Sequence, residues 1–269
     1  MVDRVATATA PIGIFDSGVG GLSIVYELRS ALPAEDIVYF ADCAYCPYGT
    51  RHPEEISDRC HFIAAMLLAL GVKLMVVACN TACAIALPAL RERFAVPIIG
   101  LEPAVKPAAR LTRTGRIAVL ATPRTIASER LDRLIREHAA GICVERIAAP
   151  GLVELVEAGT VSGEDVLTTL RPLVEPLVAR GADVIVLGCT HYPFLRAAIA
   201  HIAGPAVQIV DSGPAIARRV RDVLGERDLA APAAHRGSLR MLTSGDPAWV
   251  SRIAQQLLGE PCQVAGVSG

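Results

Sequence analysis

Two stretches constrain this chain more than any others. Met75-Val76-Val77-Ala78-Cys79-Asn80-Thr81 and Val184-Ile185-Val186-Leu187-Gly188-Cys189-Thr190-His191 each open on an apolar, mostly β-branched run. Each then places a small residue, a cysteine, and hydroxyl or amide side chains. A short run of this kind is the pattern of a strand covered on both faces, as in a parallel sheet. A helical pattern follows each, over residues 84–90 and 193–199. In open α/β sheets, ligands bind at the carboxyl ends of the strands. Both thiols are therefore delivered to the end of a sheet where ligands bind.

The remaining chain alternates in the same way. Strands are predicted over 11–15, 37–40, 96–100, 116–121, 142–147, 207–210 and 239–242. Helices are predicted from Leu22 onward and over 53–70, 126–138, 150–158, 163–180, 215–224 and 249–258. Strand–helix alternation at this frequency implies parallel, doubly wound sheets. The pattern also repeats in degenerate form. The strand ending at Asp16 precedes the Cys79 strand much as the strand ending at Ala121 precedes the Cys189 strand, and both lead into polar loops, Asp16-Ser17 and Thr122-Pro123-Arg124-Thr125. The expectation is an α/β fold of two similar, pseudo-twofold-related domains with mainly parallel sheets flanked by helices, and an active site in the cleft between them. The predicted domains are 1–103 with 214–269, carrying Asp16 and Cys79, and 104–213, carrying Cys189 and His191. The chain returns to the first domain because the final strand and helix are too little to stand alone.

Composition excludes several classes. The 269 residues carry a net charge of −1 and are 52% hydrophobic, so a large core is available and no polyanion-binding face is implied. Aromatics are sparse and not interleaved with basic residues, against a nucleic-acid platform. No apolar run suits a bilayer span, and Met1–Ala10 lacks the apolar core of a secretory signal. The reading is a cytoplasmic protein whose partner is a small molecule, with neither nucleic acid nor membrane. In such a chain the eight cysteines are expected to stay reduced. Cys43-Ala44-Tyr45-Cys46 has CxxC spacing, but no second half-motif completes a zinc site, so no metal is expected. Lys73 and Lys106 are the only lysines, against a Schiff-base cofactor enzyme.

The residues themselves suggest a reaction. Inverting a stereocentre needs one base to take a proton and one acid to return it. Two cysteines from like units equip a chain for this, with thiolate and thiol exchanging roles. The thiolate is the reactive form, so each cysteine needs a proton acceptor. Asp16 is placed to serve one and His191 the other. Either cysteine alone would read equally well as a small buried hydrophobe; the pair, each beside Thr or Asn at matching strand ends, points to function. Cys60, Cys83 and Cys143 read as packing residues. The loop Asp16-Ser17-Gly18-Val19-Gly20-Gly21 lacks a Walker lysine and the GxGxxG order, and suits a carboxylate better than a nucleotide. Asn80, Thr81 and Thr190 add neutral donors, and Tyr48-Gly49 further backbone donors. So many anion-binding ends fit a dicarboxylic amino acid.

At these residues the sequence resembles the glutamate racemases of the cofactor-independent aspartate/glutamate racemase superfamily. The matching stretches are Gly13–Gly21, Asp42 with Pro47–Arg51, Ala78–Ala82, Gly100–Pro103, Leu187–Pro193 and Val210–Gly213, in the family's order and across almost the whole chain. The resemblance implies reversible interconversion of L- and D-glutamate without pyridoxal phosphate or metal, feeding peptidoglycan synthesis. It implies that Cys79 deprotonates the D-enantiomer and Cys189 the L-enantiomer, with Asp16 and His191 assisting. It implies substrate contacts at Asp16, Ser17, Tyr48, Gly49, Asn80, Thr81, Thr190 and His191. Glu157 matches a glutamate that supports the second cysteine, although Ala149 stands where the family frequently has cysteine and Glu154 where it frequently has proline. The family implies a homodimer or a monomer–dimer equilibrium. Only about ten residues precede the first strand, so activation by a peptidoglycan precursor is not expected. The alternatives are an aspartate or hydantoin racemase of the same superfamily, or a binding or regulatory protein on this fold.

Overall fold

A computed structural model describes residues 7–267. Residues 1–6, on which the expectation about a secretory signal partly rests, lie outside the described residues. The chain forms two compact units. One runs to Leu101 and resumes at Gly213; the other is Glu102–Ser212.

The first unit opens with β1 (Ile12–Asp16), α1 (Leu22–Ala31), β2 (Ile37–Ala41), α2 (Pro53–Ala69), β3 (Leu74–Val77), α3 (Asn80–Ile85), α4 (Leu87–Arg93) and β4 (Ile98–Gly100). The second comprises α5 (Val105–Leu111), β5 (Arg116–Ala121), α6 (Pro123–Ile126), α7 (Glu129–His138), β6 (Cys143–Ala148), α8 (Leu152–Glu157), α9 (Glu164–Ala179), β7 (Val184–Leu187), α10 (Arg196–Ala203) and β8 (Gln208–Val210). The chain then completes the first unit with α11 (Gly213–Glu226), β9 (Leu239–Thr243), α12 (Pro247–Leu258) and β10 (Val264–Gly266).

The first sheet has the order β10-β9-β2-β1-β3-β4 and the second β6-β5-β7-β8. Every pairing in both is parallel. The fold is thus α/β with two parallel sheets flanked by helices. β1, β2 and β3 are buried at every residue. That is the consequence of helices on both faces, and it explains their uninterrupted apolar sequences. In the second unit Ile117, Val119, Ala121, Val184 and Val186 pack with Val105 and Ala108 of α5 and Leu131 and Leu134 of α7. The alternate residues Ala118, Leu120, Ile185 and Leu187 are buried as well.

Lys73, just before β3, is wholly buried and pairs with Glu35 at 2.6 Å. Glu35 also accepts from the Ala231 backbone N–H at 2.8 Å. This ion pair ties the segment leading into β9 to the start of the sheet. Among the described residues no helix is long and apolar enough to cross a membrane.

The structure corrects several sequence readings. Cys143 does not pack in the core; it is exposed, because β6 is the edge of its sheet and Cys143 is its first residue. The helix expected over 126–138 starts later, at Glu129 (α7), and a separate short helix, α6, ends at Ile126 before it. Ser128 caps α7 by accepting from Leu131 N–H, which stops α6 from running through. The short helix α5 and the edge strand β10 were not expected.

Candidate active site

In the first unit β1 pairs with β3 so that Phe15 faces Val77. The ladder runs one bond further, from Ala78 N–H to the Phe15 carbonyl at 2.8 Å. Continued in step, this register sets Ser17 opposite Cys79. The Cys79 sulfur lies 3.9 Å from the Ser17 hydroxyl. That hydroxyl lies 3.3 Å from the Asp16 carboxylate, which also accepts the Ser17 backbone N–H at 2.7 Å. The first thiol is therefore joined to a fully buried carboxylate through one hydroxyl.

Cys79 is also the N-cap of α3. Its sulfur accepts from Ala82 N–H at 3.5 Å, a contact that favours negative charge on sulfur. Asn80 and Thr81 are buried beside it. The Asn80 side-chain oxygen is buried with no hydrogen-bond partner among the described residues, an acceptor left for a ligand's N–H. Gly21 is needed here for space, since a Cβ would lie 2.8 Å from Asp16 Cβ and 2.9 Å from the Tyr39 ring. The Tyr39 hydroxyl donates to the Gly18 carbonyl and holds the glycine loop against the sheet.

Tyr48 and Gly49 lie in a 3-10 turn, Tyr48–Thr50. Tyr48 is buried and donates its hydroxyl to Asp42 at 2.6 Å. Burial, with Cys60 and Asp42 nearby, pushes the Tyr48 phenol far above its ordinary value, so it stays a neutral donor. Cys60 and Cys83 are packing residues as the sequence suggested. Burial drives the Cys60 thiol upward, and Cys83 bridges the Val77 carbonyl and Leu101 N–H at 3.3 and 3.2 Å.

The second unit repeats the plan. Leu120 pairs with Leu187, and Gly188 N–H continues the ladder to the Leu120 carbonyl at 2.7 Å. This register sets Thr122 opposite Cys189, as Ser17 stands opposite Cys79. A Cβ on Gly188 would lie 2.9 Å from Ala121 Cβ and 3.0 Å from the Leu120 carbonyl oxygen, so the small residue before this cysteine has a steric cause. The group beside the thiol differs between the units. His191 Nδ1 lies 3.7 Å from the Cys189 sulfur, and its Nε2 lies 2.6 Å from Glu157 at the end of α8. With Nε2–H donating to the carboxylate, Nδ1 faces the thiol as an acceptor.

Thr190 is buried beside the sulfur. Tyr192 donates its hydroxyl to the Ala149 carbonyl at 2.9 Å. Burial, with Cys189 beside it, holds the Tyr192 phenol well above its ordinary value.

The structure therefore brings Asp16, Ser17, Cys79, Asn80 and Thr81 to one strand-end cluster, and Cys189, Thr190, His191 and Glu157 to another. The polar loop that matches Asp16-Ser17 contributes Thr122 and Thr125, whose hydroxyls are hydrogen-bonded at 3.0 Å; the sequence analysis gave neither residue a role. The sequence analysis missed Arg59 and Ser244, which bind Asp42. No local signal marks Arg59 or Ser244.

The chain is similar to known proteins over most of its length. A family model described as Asp/Glu/Hydantoin racemase matches residues 21–220. A glutamate racemase of Herpetosiphon aurantiacus is 51% identical over 92% of this chain and 97% of its own length. The crystal structure of a glutamate racemase isoform from Bacillus anthracis superposes with a TM-score of 0.85 at 32% identity, covering 97% of each chain. That of a Francisella tularensis glutamate racemase in complex with D-glutamate gives 0.84 at 31% identity, covering 97% of this chain and 98% of that one. A match of this extent, over a fold with a thiol at a corresponding strand end of each unit, makes the chain a member of the Asp/Glu/hydantoin racemase family.

Proposed function

We propose that the protein interconverts L- and D-glutamate by proton transfer at Cα, using its own cysteines and neither pyridoxal phosphate nor a metal. The observation that carries the reading is that each unit presents a buried thiol at the same strand end, each with its own path to a proton acceptor. The identity of the 51% relative supplies the substrate class.

In this reading Cys189 takes the α-proton of L-glutamate and the Cys79 thiol returns one to the opposite face of the carbanion. The reverse direction starts from D-glutamate with Cys79 as the base. His191 accepts the Cys189 proton at Nδ1, and Glu157 stabilises the imidazolium so formed. Asp16 serves Cys79 through Ser17. An amino-acid α-proton is far less acidic than a thiol, so the developing charge needs donors aimed at the substrate carboxylate. Ser17, Thr81, Thr190 and the Tyr48–Gly49 backbone are the candidates. The Asn80 side-chain oxygen takes the substrate ammonium. The product D-glutamate supplies peptidoglycan synthesis.

The test is circular dichroism of the purified, chelator-treated protein with L-glutamate and no added cofactor. Decay of the signal to zero supports the proposal. Turnover of aspartate or a hydantoin in place of glutamate moves the activity elsewhere in the family. Silence toward all of them contradicts the reading.

A further inference from the structure

The Tyr48–Gly49 turn hangs on a buried charge, and that charge is held by residues far away in sequence. Asp42 follows β2 and is wholly buried. Its backbone N–H donates to the Asp16 carbonyl at 3.0 Å, which fixes it to the strand end beside the first thiol. Its carboxylate accepts four bonds. Tyr48 Oη donates to Oδ2 at 2.6 Å and Arg59 Nε to the same oxygen at 3.1 Å. Arg59 Nη2 donates to Oδ1 at 2.7 Å, as does Ser244 Oγ at 2.7 Å. Arg59, on α2, sets its guanidinium carbon over the rings of Tyr45 and Phe62, 4.0 and 4.8 Å from the two centroids. This stacking restrains the plane of the fork that binds Asp42.

Ser244 does more than bind Asp42. Its hydroxyl also accepts Ala44 N–H at 3.1 Å, so one side chain fastens both the carboxylate and the turn that follows it. The next residue is Gly245, where a Cβ would stand 2.8 Å from Cys43 Cβ. The end of β9 is thus shaped to seat residues 43–46, which lead directly into Tyr48. Ala41 pairs with Thr243 in the sheet, so Asp42 and Ser244 leave it side by side.

A buried ion pair is seldom the cheapest way to gain stability, since well-packed apolar residues often do as well. What this one supplies is a defined position. We propose that Arg59 and Ser244 are positioning residues for substrate binding, acting through Asp42 and Tyr48 to hold the 43–50 segment in its ligand-binding shape. The proposal rests on the reading that the Tyr48–Gly49 turn contacts glutamate. A contact made equally in the ground and transition states lowers KM without raising kcat, so its loss appears in KM.

The test compares wild type with Ser244→Ala, Ser244→Thr, Arg59→Met and Arg59→Lys, measuring KM and kcat in both directions and amide hydrogen exchange without substrate. Loss of a hydrogen bond to a buried charge is expected to raise KM by about tenfold, with kcat changed by less than about threefold. Ser244→Ala and Arg59→Met show this rise together with faster exchange confined to residues 43–50. Ser244→Thr, which keeps the hydroxyl, restores KM. Arg59→Lys, which keeps charge but not the fork, does not. A fall in melting temperature with unchanged KM, or unchanged exchange at 43–50, overturns the proposal. If wild type itself does not turn over glutamate, the functional reading fails, and the exchange measurement still decides whether Arg59 and Ser244 hold the segment.

Discussion

Glu157 Oε1 lies 2.6 Å from Nε2 of His191, and the imidazole presents its other nitrogen to Cys189. The carboxylate thereby selects the tautomer. A proton moving from the thiol to Nδ1 creates an imidazolium next to a carboxylate already in place. In the first unit Cys79 reaches Asp16 through Ser17. On the proposed mechanism, unlike proton acceptors would serve the two halves of a symmetric reaction, and this makes them separable by experiment.

Glu157→Gln keeps the shape but removes the charge opposite His191. General acid–base groups contribute about 10²–10⁴-fold, and a residue one step removed is expected to give about tenfold. With an equilibrium constant of one, kcat/KM must fall equally in both directions. The isotope effects differ. Abstraction by Cys189 becomes more rate-limiting, so the effect with 2-deuterated L-glutamate grows and that with 2-deuterated D-glutamate shrinks. Equal changes in both would remove Glu157 from the Cys189 side.

Lys73 is wholly buried against Glu35. Lys73→Met leaves that carboxylate without its cation, and removing one partner of a buried pair costs about 3–5 kcal/mol. Urea unfolding should show a loss of this size. The double variant Lys73→Met with Glu35→Leu should recover most of it, because neither charge then remains buried. A single variant as stable as wild type would show that the pair contributes nothing.

The sequence made some of this structure plain and hid the rest for physical reasons. The strands around Phe15, Val77, Leu120 and Leu187 are legible because burial on both faces demands an unbroken apolar run. β10 is not, because Val264–Gly266 is three residues whose strand character comes only from pairing with β9. The break between α6 and α7 turns on one serine side chain competing for a backbone N–H. Cys143 sits in an apolar-looking strand, and only the sheet order reveals that the strand is an edge. Arg59 and Ser244 meet at Asp42 from separate elements, Ser244 more than two hundred residues along the chain, and no periodicity records such a meeting.

The most direct test of the two-thiol account is incubation of wild type, Cys79→Ser and Cys189→Ser with L-glutamate in D2O, following optical activity and deuterium at Cα together. The account predicts that wild type loses optical activity while deuterium enters Cα. It predicts that neither serine variant racemises, because a hydroxyl surrenders its proton far less readily than a thiol. A correctly folded serine variant that racemises at the wild-type rate would contradict the assignment of both proton transfers to cysteine.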